Sequence, residues 1–429
     1  MEVKPLRQSS VRAGYKQTEV GVIPEEWDVR ELSRISTKIT DGDHVTPQRS
    51  KQGYYLLSAR NILNGKIDVT DVDYVGESEY RRMRQRCGPE AGDVLISCSG
   101  TIGRICAVPD NLPCVLVRSA ALVKLDRGLA DGLFVQFWLQ GFQAQGQIFN
   151  SVNQGAQPNL FLNHIERLQC PYPPLPEQRA IAEALSDVDG LLGGLDRLIA
   201  KKRDLKQAAM QRLLTGQTRL PGFHGEWEVK QVGHAGRCLR GVSYRGESDL
   251  SSHDTKDTKR LLRANNVQDA VVVTDEVQFV NTARVSPHQI LRPNDILICM
   301  ANGSKALVGK AGLFAVNDGY DYTFGAFMGC FRTDAAAANP RFVFFLHQTG
   351  QYRNYINNLL AGSSINNLRP SSIESLEFGF PTVAEQTAIA EVLTEMDAEL
   401  AALEQRREKT RALKQAMMQE LLTGKTRLV

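Results

Sequence analysis

The stretch Glu177–Asp189, EQRAIAEALSDVD, returns at Glu385–Asp397 as EQTAIAEVLTEMD. Both copies continue without a gap into a second shared string, LKQAAMQRLLTG at 205–216 and LKQAMMQELLTG at 413–424. Between 177–220 and 385–428, roughly 25 of about 44 aligned positions carry the same residue. Such self-similarity at one fixed separation indicates a structural unit that is written twice in the chain.

The repeat extends beyond these segments into the parts of the chain that precede them. Trp27 and Trp227 align within TEVGVIPEEWDV (18–29) and TRLPGFHGEWEV (218–229). Further pairs are LLSARNILNG (56–65) with LLRANNVQDA (261–270), GDVLISCSGTIG (92–103) with NDILICMANGS (294–304) and, more loosely, GAQPNL (155–160) with GSSINNL (362–368). These parts diverge far more than the segments quoted first. We interpret this as two helices that do one job twice and two globular halves that do related jobs on different targets.

The composition of the 429 residues is that of a soluble globular protein of two or three domains, with 42% hydrophobic and 23% charged residues. The polar start MEVKPLRQSS has no signal-peptide core, and no apolar run is long enough for a membrane span. Eight cysteines occur singly without a CxxC pair, which favours reduced thiols and a cytoplasmic location. A net charge of +3 gives no argument for or against a nucleic-acid partner.

Each half has the pattern of an α+β domain, because short apolar runs such as DVLISC (93–98) alternate with Gly, Asn and Asp turns. LFVQFWLQGF (133–142) and FVFFLHQTGQYRNYINNLL (342–360) predict a helix in each half. The predicted organisation is an N-terminal tail at 1–16, a first globular domain at 17–175, a central long helix at 176–220, a second globular domain at 221–382 and a C-terminal long helix at 383–429.

Apolar residues recur at steps of four and three in both predicted long helices, as in a heptad seam. They are Ile181, Leu185, Val188, Leu192, Leu195 and Ile199 in the first helix, and Ile389, Leu393, Met396, Leu400 and Leu403 in the second. Pro176 suits a first helical turn, and Thr382 with Glu385 is a capping-box pattern. Gly216 and Gly424 suit helix C-terminal stops. A helix of about 38 residues is roughly 57 Å long and needs a partner for its apolar stripe.

Charge predicts how the two helices pair. The first half of each helix is acidic (Glu183, Asp187 and Asp189; Glu391, Glu395, Asp397 and Glu399), and the second half is basic (Lys201, Lys202, Arg203 and Lys206; Arg406, Arg407, Lys409, Arg411 and Lys414). Antiparallel packing places acid beside base at both ends, and each exposed pair contributes about 0.2–1 kcal/mol. We therefore predict an antiparallel intramolecular coiled coil with a pseudo-two-fold axis. A plain linker or a homodimerisation device is the alternative interpretation.

The sequence gives little support for a catalytic motif. GSKALVGKA (303–311) has one residue too many for a phosphate loop and lacks its hydroxyl residue, and CPYPPLPEQ (170–178) lacks the Asn or Asp of a base-methylating tetrapeptide. The seven histidines form no HExxH or HxH set. We expect no catalytic residue, no metal site and no cofactor in this chain.

With catalysis unsupported, recognition of a ligand is the remaining class of function. Two related but different domains suit a DNA target that has two parts. Polar loops in both halves carry the side chains that read bases and bind phosphates. The candidate DNA-binding residues are His44, Thr46, Gln48, Arg49, Lys51, Tyr54, Thr101, Arg104, Gln154, Gln157 and Asn159 in the first half, and Tyr244, Arg245, Lys256, Lys259, Asn302, Ser304, Lys305, Ser363, Ser364 and Asn366 in the second. Each loop alone also fits an ordinary solvated turn. The run RRMRQR (81–86) fits a phosphate-facing patch or one exposed helix face.

The duplicated order of these motifs resembles the specificity subunit (HsdS) of type I restriction–modification systems. The resemblance rests on PPLPEQRAIAEAL (173–185) and PTVAEQTAIAEVL (381–393), the twin LLTG ends, IPEEW (23–27), HGEW (224–227) and GDVLISCSGTIG. It implies that the globular halves are target recognition domains, each of which reads one half of an asymmetric split DNA site. It also implies that the antiparallel helices set the gap between the two halves of that site.

The same resemblance implies partners. Two modification (HsdM) subunits, which carry S-adenosylmethionine and methylate adenine, would dock on the chain, and two ATP-driven restriction (HsdR) subunits would join them. A non-DNA interaction scaffold with two ligand-binding domains on a rod is the alternative function. An enzyme is a third and more distant one.

Overall fold

The computed structural model describes residues 12–152, 158–361 and 366–428. The chain forms two compact units. The first unit contains the chain up to Arg197 together with the segment from Gln405 onward, and the second contains Leu198–Glu404. Each unit therefore holds one globular half and a part of each long helix.

The first unit is built on two four-stranded sheets with the orders β11-β10-β13-β4 and β12-β6-β9-β5. Three two-stranded pairs, β1-β2, β3-β14 and β7-β8, accompany them. The strands are β1 Tyr15–Thr18, β2 Gly21–Pro24, β3 Asp28–Glu31, β4 Ser36–Asp41, β5 Arg49–Ser50, β6 Tyr54–Leu57, β7 Ile62–Leu63, β8 Lys66–Ile67, β9 Asp73–Val75, β10 Val94–Ser97, β11 Ile105–Ala107, β12 Cys114–Leu116, β13 Ala120–Leu125 and β14 Gln169–Tyr172.

The second unit repeats this plan with a six-stranded sheet, β16-β25-β22-β23-β20-β19, a four-stranded sheet, β17-β21-β18-β24, and the pair β15-β26. Its strands are β15 Glu228–Gln231, β16 Gly236–Arg240, β17 Leu250–Ser251, β18 Thr258–Leu262, β19 Val267–Gln268, β20 Val271–Val272, β21 Gln278–Asn281, β22 Ile296–Cys299, β23 Ala311–Leu313, β24 Tyr322–Phe324, β25 Met328–Thr333 and β26 Glu377–Phe380. The α+β prediction for both halves is confirmed.

The helices are α1 Glu77–Arg86, α2 Gly132–Gln140, α3 Phe142–Ser151, α4 Leu162–Glu166, α5 Leu175–Leu213, α6 Gly246–Asp249, α7 Pro340–Leu346, α8 Gly350–Ala361, α9 Pro370–Glu374 and α10 Val383–Leu421. The helix predicted at 133–142 is confirmed as α2, and the stretch 342–360, predicted as one helix, forms two helices, α7 and α8. In the first half α2 ends before Gly141, whose extended backbone (φ −71°, ψ 160°) interrupts the helical path.

The two long helices, α5 and α10, have 39 residues each. They end before the predicted limits of 220 and 429, because the LLTG strings turn the chain. Gly216 and Gly424 adopt φ values of +70° and +67°, which favour glycine, so the predicted C-terminal stops are confirmed. A Cβ atom on Gly424 would lie 2.5 Å from Pro24, so close packing also requires glycine there.

The apolar seam of the long helices is part of the core of each unit. In the first unit, Ile181 and Leu185 of α5 are fully buried in one cluster with Leu421 at the end of α10. In the second unit, Ile389 and Leu393 of α10 are fully buried with Leu213 at the end of α5. Each globular half therefore completes its core with both helices.

Ion pairs within each unit confirm antiparallel packing. In the first unit, Lys414 lies 2.6 Å from Asp189, and Arg407 lies 3.5 Å from Asp196. From Asp189 to Asp196 the contacts advance seven residues along α5, and from Lys414 to Arg407 they go back seven residues along α10. The two helices therefore run in opposite directions. In the second unit, Lys202 of α5 lies 2.6 Å from Glu399 of α10, and Lys206 pairs with Asp397. The charge pattern predicted these opposite-charge contacts.

Within each unit a buried salt bridge joins the start of one long helix to the chain just past the end of the other, and we call it the clasp. In the first unit the Arg427 guanidinium, just past α10, donates to the carboxylate of Glu177 at the start of α5, with Nη2 to Oε2 at 2.7 Å. The Trp27 indole donates to the same carboxylate at 3.0 Å. In the second unit, Arg219 donates to Glu385 at 2.5 and 2.6 Å. Both carboxylate side chains are 1% exposed.

The glutamine of each EQ pair fixes the adjacent helix of the globular half. The Gln178 side chain accepts from the Asp131 backbone N–H at 3.0 Å, and Gln386 accepts from the Asn339 N–H at 2.9 Å. Asp131 and Asn339 are themselves the N-caps of α2 and α7. The repeated letters EQ therefore encode one repeated junction between a long helix and a globular half.

The capping box predicted at Thr382 and Glu385 forms only in its first half. The Glu385 N–H donates to the Thr382 hydroxyl at 3.4 Å. The Glu385 carboxylate does not complete the box, since it accepts from Arg219 in the clasp. A long-range salt bridge has replaced the local hydrogen bond.

We predict that Arg427→Leu lowers the free energy of unfolding by about 3 kcal/mol, because the buried Glu177 carboxylate loses its countercharge. Urea unfolding followed by tryptophan fluorescence measures the change. The matched control is Arg203→Leu, which removes an exposed pair with Glu404 and should cost less than about 1 kcal/mol. Adding Glu177→Gln to Arg427→Leu should restore part of the loss. Equal effects of the two arginine variants would contradict the clasp.

Candidate nucleic-acid interface

In the first unit, three connections meet at one edge of a sheet. Strand β13 lies between β4 and β10 and is antiparallel to both, with Ala121 opposite Asp41 and Ile96. β4 ends at Asp41 and β10 at Ser97, so the chain leaves both strands side by side. The turn Val117–Ala120, closed by a 3.0 Å hydrogen bond, enters β13 here. We call residues 42–46, 98–104, 117–120 and 158–160 the first loop edge.

The second unit has the equivalent arrangement. Strand β25 lies between β16 and β22, with Gly329 opposite Arg240 and Ile298. β16 ends at Arg240 and β22 at Cys299, and the turn Gly325–Met328, closed by a 2.8 Å hydrogen bond, enters β25. We call residues 241–245, 300–310, 325–328 and 366–368 the second loop edge.

Backbone hydrogen bonds hold the loops of each edge together in the same way. The bonds are Cys98 N to Ser119 O (2.8 Å) and Leu160 N to Cys98 O (2.9 Å) in the first unit, and Met300 N to Phe327 O (2.9 Å) and Leu368 N to Met300 O (2.7 Å) in the second. Isolated antiparallel bridges join Ser99 to Asn159 and Ala301 to Asn367. Loops far apart in sequence are therefore held at one edge in each unit.

Several candidate residues lie at the first loop edge, namely His44, Thr46, Thr101, Arg104 and Asn159. His44 is exposed, and its Nε2 lies 2.6 Å from Asp41 Oδ2. Arg104 is half-buried, and its guanidinium makes no ion pair with any residue that the structure describes. Among the candidate residues, this edge therefore presents one paired imidazole and one arginine that is available for an anion.

Candidates at the second loop edge are Tyr244, Arg245, Asn302, Ser304, Lys305 and Asn366. The Asn302 side chain accepts from the Ser304 N–H at 2.9 Å, and the Asn366 amide donates to the Gly303 carbonyl at 3.3 Å. Lys305 is exposed and, within the described ranges, forms no salt bridge. The two asparagines thus shape the loop and leave part of their hydrogen-bonding capacity unused.

Other candidates lie in the second sheet of each unit or in the turns beside its strands, namely Gln48, Arg49, Lys51 and Tyr54 in the first unit and Lys256 and Lys259 in the second. Leu57 contacts the first loop edge, because its carbonyl accepts from the Val117 N–H. Tyr54 lies three residues earlier on the same strand, about 10 Å from Leu57. Its ring stacks on Tyr80 at 3.7 Å, and its hydroxyl hydrogen-bonds Glu77, which raises the Tyr54 pKa. Tyr54 is therefore engaged in the fold itself.

Two cations on these second sheets are already paired. Arg49 lies 3.5 Å from Asp73, and Lys259 lies 2.5 Å from Asp321. Lys51 and Lys256 are exposed. A role in DNA binding stays a prediction for all of these residues, and the four candidates Gln154, Gln157, Ser363 and Ser364 lie outside the described residues.

The RRMRQR run forms part of α1 and is largely ion-paired. Arg81 lies 2.5 Å from Glu77 on the same helix, Arg82 lies 2.6 Å from Asp43, and Arg86 lies 2.7 Å from Asp41. The geometry favours the exposed helix face over the phosphate-facing patch.

The structure adds residues that sequence reasoning missed. Lys310 is the equivalent of Arg104, because their carbonyls accept the same hydrogen bond, from Cys299 N at 2.9 Å and from Ser97 N at 3.0 Å. The longer loop of the second unit hid this match in the sequence. Arg118 is exposed at the corner turn of the first loop edge, and its side chain has no ion-pair partner among the described residues. Asn367, and not Asn366, is the equivalent of Asn159.

Burial shifts the pKa values of the cysteine thiols and of His347 away from those of reactive groups. All eight cysteines are free and buried, and burial raises the pKa of the Cys98 thiol to about 12. Burial lowers the pKa of His347 to about 4, which keeps this core imidazole neutral. In the described ranges no group of three or more His, Cys, Asp or Glu side chains is placed to hold a metal ion.

Among the described residues, none of the helices combines the length and the apolar character that crossing a bilayer requires.

The sequence profile of the family described as type I restriction modification DNA specificity domain matches residues 24–199 and 261–412, more than half of the chain. The protein therefore belongs to this family. A Methanocaldococcus jannaschii protein described as the putative type I restriction enzyme MjaX specificity subunit is 25% identical over 450 residues, which cover 99% of each chain. The EcoKI specificity subunit of Escherichia coli K12 is 32% identical over 203 residues, 46% of this chain and 43% of that one.

Solved structures show the same fold. The type I restriction–modification S subunit from M. genitalium superposes with a TM-score of 0.60 at 14% identity, covering 92% of this chain and 96% of that one. A chain from a structure of type I system assembly superposes with a TM-score of 0.55 at 17% identity, covering 94% and 99%. The expectations of two α+β domains with long helices, and of a DNA-recognition subunit without catalytic activity, are confirmed.

We predict that Arg104→Ala and Lys310→Ala each weaken binding of duplex DNA by the assembled complex about threefold to tenfold, since each removes one available cation from a loop edge. The slope of log affinity against log salt should fall by about one per substitution. Fluorescence anisotropy over a salt series measures both quantities.

The matched control is Arg81→Ala, an exposed arginine that is already paired on α1. It should change neither the affinity nor the slope. If it weakens binding as much as Arg104→Ala does, the loop edges are not the phosphate-binding surface.

Proposed function

We propose that this chain reads an asymmetric DNA site in two parts, one half with each unit, and scaffolds two identical DNA adenine methyltransferase (HsdM) subunits. Two restriction (HsdR) subunits would join the complex through them. S-adenosylmethionine and ATP would bind to those partners and not to this chain. The complex would act in the cytoplasm, where its DNA target lies.

The single observation that carries the proposal is the contrast between repeated junctions and different loop edges. The Arg–Glu salt bridges of the clasps, the EQ junctions and the order of the equivalent central strands, β4-β13-β10-β11 and β16-β25-β22-β23, recur in both units. The loop edges keep their backbone hydrogen bonds but carry different side chains, for example Arg118 and Ser119 at the corner of one and Ala326 and Phe327 at the corner of the other. One scaffold that presents two different readers supports recognition of a two-part sequence.

A repeated exposed surface on the long helices supports the scaffold role. Leu205 and Leu413 occupy equivalent positions in the two copies, and 47% and 56% of their surfaces are exposed. Both are followed by the same string, KQA, whose Gln and Ala residues are exposed in both copies. Burying one such leucine in an interface contributes roughly 1.5–3 kcal/mol. Two equivalent apolar contacts suit two copies of one partner.

The proposal is tested with the chain bound to its modification subunits, against a duplex that carries the methylated host sequence and a scrambled duplex of equal length. We expect tight, salt-sensitive binding of the first only. Equal binding of both duplexes would exclude sequence reading by this chain. Copurification with a protein other than a DNA methyltransferase would instead support a non-DNA scaffold.

We predict that Leu205→Asp or Leu413→Asp alone removes one modification subunit from the complex, and that the double variant removes both, because each places a charge in an apolar contact. Native mass spectrometry counts the bound subunits. The matched control is Leu191→Asp, since Leu191 is 45% exposed but has Glu399 at its equivalent position. Two subunits still bound to the double variant would show that this surface is not the docking site.

A further inference from the structure

Phe327 is a large apolar side chain exposed at a polar loop edge. It lies at a central position of the turn Gly325–Met328, with 71% of its surface exposed. It belongs to the same loop edge as the candidate readers Asn302, Ser304 and Lys305. Because most of its surface is exposed, the ring contributes little to the core of the unit and is available to an apolar group of a ligand.

The backbone of Phe327 is held firmly although its ring is exposed. Its carbonyl accepts from Met300 N at 2.9 Å and from Ala301 N at 3.1 Å, and the turn is closed by Met328 N to Gly325 O at 2.8 Å. The ring is therefore presented from a fixed point beside the loop that begins at Met300. Such placement on rigid elements is what a recognition contact requires.

The equivalent residue of the first unit is Ser119, because its carbonyl accepts the corresponding hydrogen bond from Cys98. The Ser119 hydroxyl is used internally, as it accepts from the Ala59 N–H at 3.0 Å. The corner of the first unit presents the exposed cation Arg118 instead. The two corners thus differ in the chemistry that they offer a ligand.

We propose that Phe327 contacts the C5-methyl group of a thymine in the half-site that the second unit reads; this inference rests on the proposed function. Among the base edges of the major groove, the thymine methyl is the apolar group that a phenylalanine recognises. The hydrogen-bonding asparagines beside it suit the adenine of an A·T pair. A half-site that contains the adenine to be methylated necessarily contains such a pair.

The test replaces each thymine of the half-site by deoxyuridine, which lacks only the methyl group, and measures the affinity of the complex with its modification subunits. Wild type should lose about threefold to tenfold at one position of the half-site of the second unit, as expected for one buried methyl group. Phe327→Ser, which installs the residue of the first unit, should be insensitive at that position. Phe327→Leu should keep part of the sensitivity.

The matched control is Phe142→Ser, which removes a 91% exposed phenylalanine outside the loop edges and should leave the deoxyuridine profile unchanged. Wild type that is insensitive at every thymine of the half-site, or Phe327→Ser that keeps the wild-type profile, would overturn the inference. Uniform weakening of all duplexes by Phe327→Ser with an unchanged profile would overturn it in favour of stacking or wedging. Failure of wild type to prefer its site over scrambled DNA would instead overturn the proposed function.

Discussion

The buried carboxylates of Glu177 and Glu385 are the constraint on which the rest of the structure depends. A carboxylate that is 1% exposed costs several kcal/mol unless a cation accompanies it. The cation comes from the far end of the other long helix, Arg427 in the first unit and Arg219 in the second. Neither globular half can therefore be completed by its own stretch of sequence, and each unit needs the start of one helix and the end of the other.

This requirement explains why the helical segments remain alike while the loop edges differ. The helices must fill a core, pair opposite charges, close a clasp and hold the N-cap of a globular helix, and all four tasks occur twice. At the loop edges the two units share backbone hydrogen bonds, such as those at Cys98 and Met300, so the side chains are free to differ. Membership of the type I specificity family agrees with this division between a repeated frame and two different readers.

Much of the frame could be predicted because its signals are local or periodic. The four-and-three spacing of apolar residues indicated the buried seam, and the acidic first half and basic second half of each helix indicated antiparallel packing. Gly216 and Gly424 marked where the helices end. The clasp could not be predicted, because Arg427 and Glu177 lie 250 residues apart and the local pattern at Glu385 suggested a capping box. Lys310, Arg118 and Phe327 were missed because strand order, and not sequence spacing, brings them to the loop edges.

The most direct test of the central claim lengthens the helices where the two units divide. One heptad, about 10.5 Å of helix, is inserted after Arg197, after Glu404, or after both. We predict that either single insertion displaces the facing residues of the antiparallel pair and lowers stability. Under the proposed function, the double insertion restores stability and widens the gap between the methylated half-sites by about three base pairs. A double insertion that is no more stable than the single ones, or that leaves the gap unchanged, would contradict the central claim.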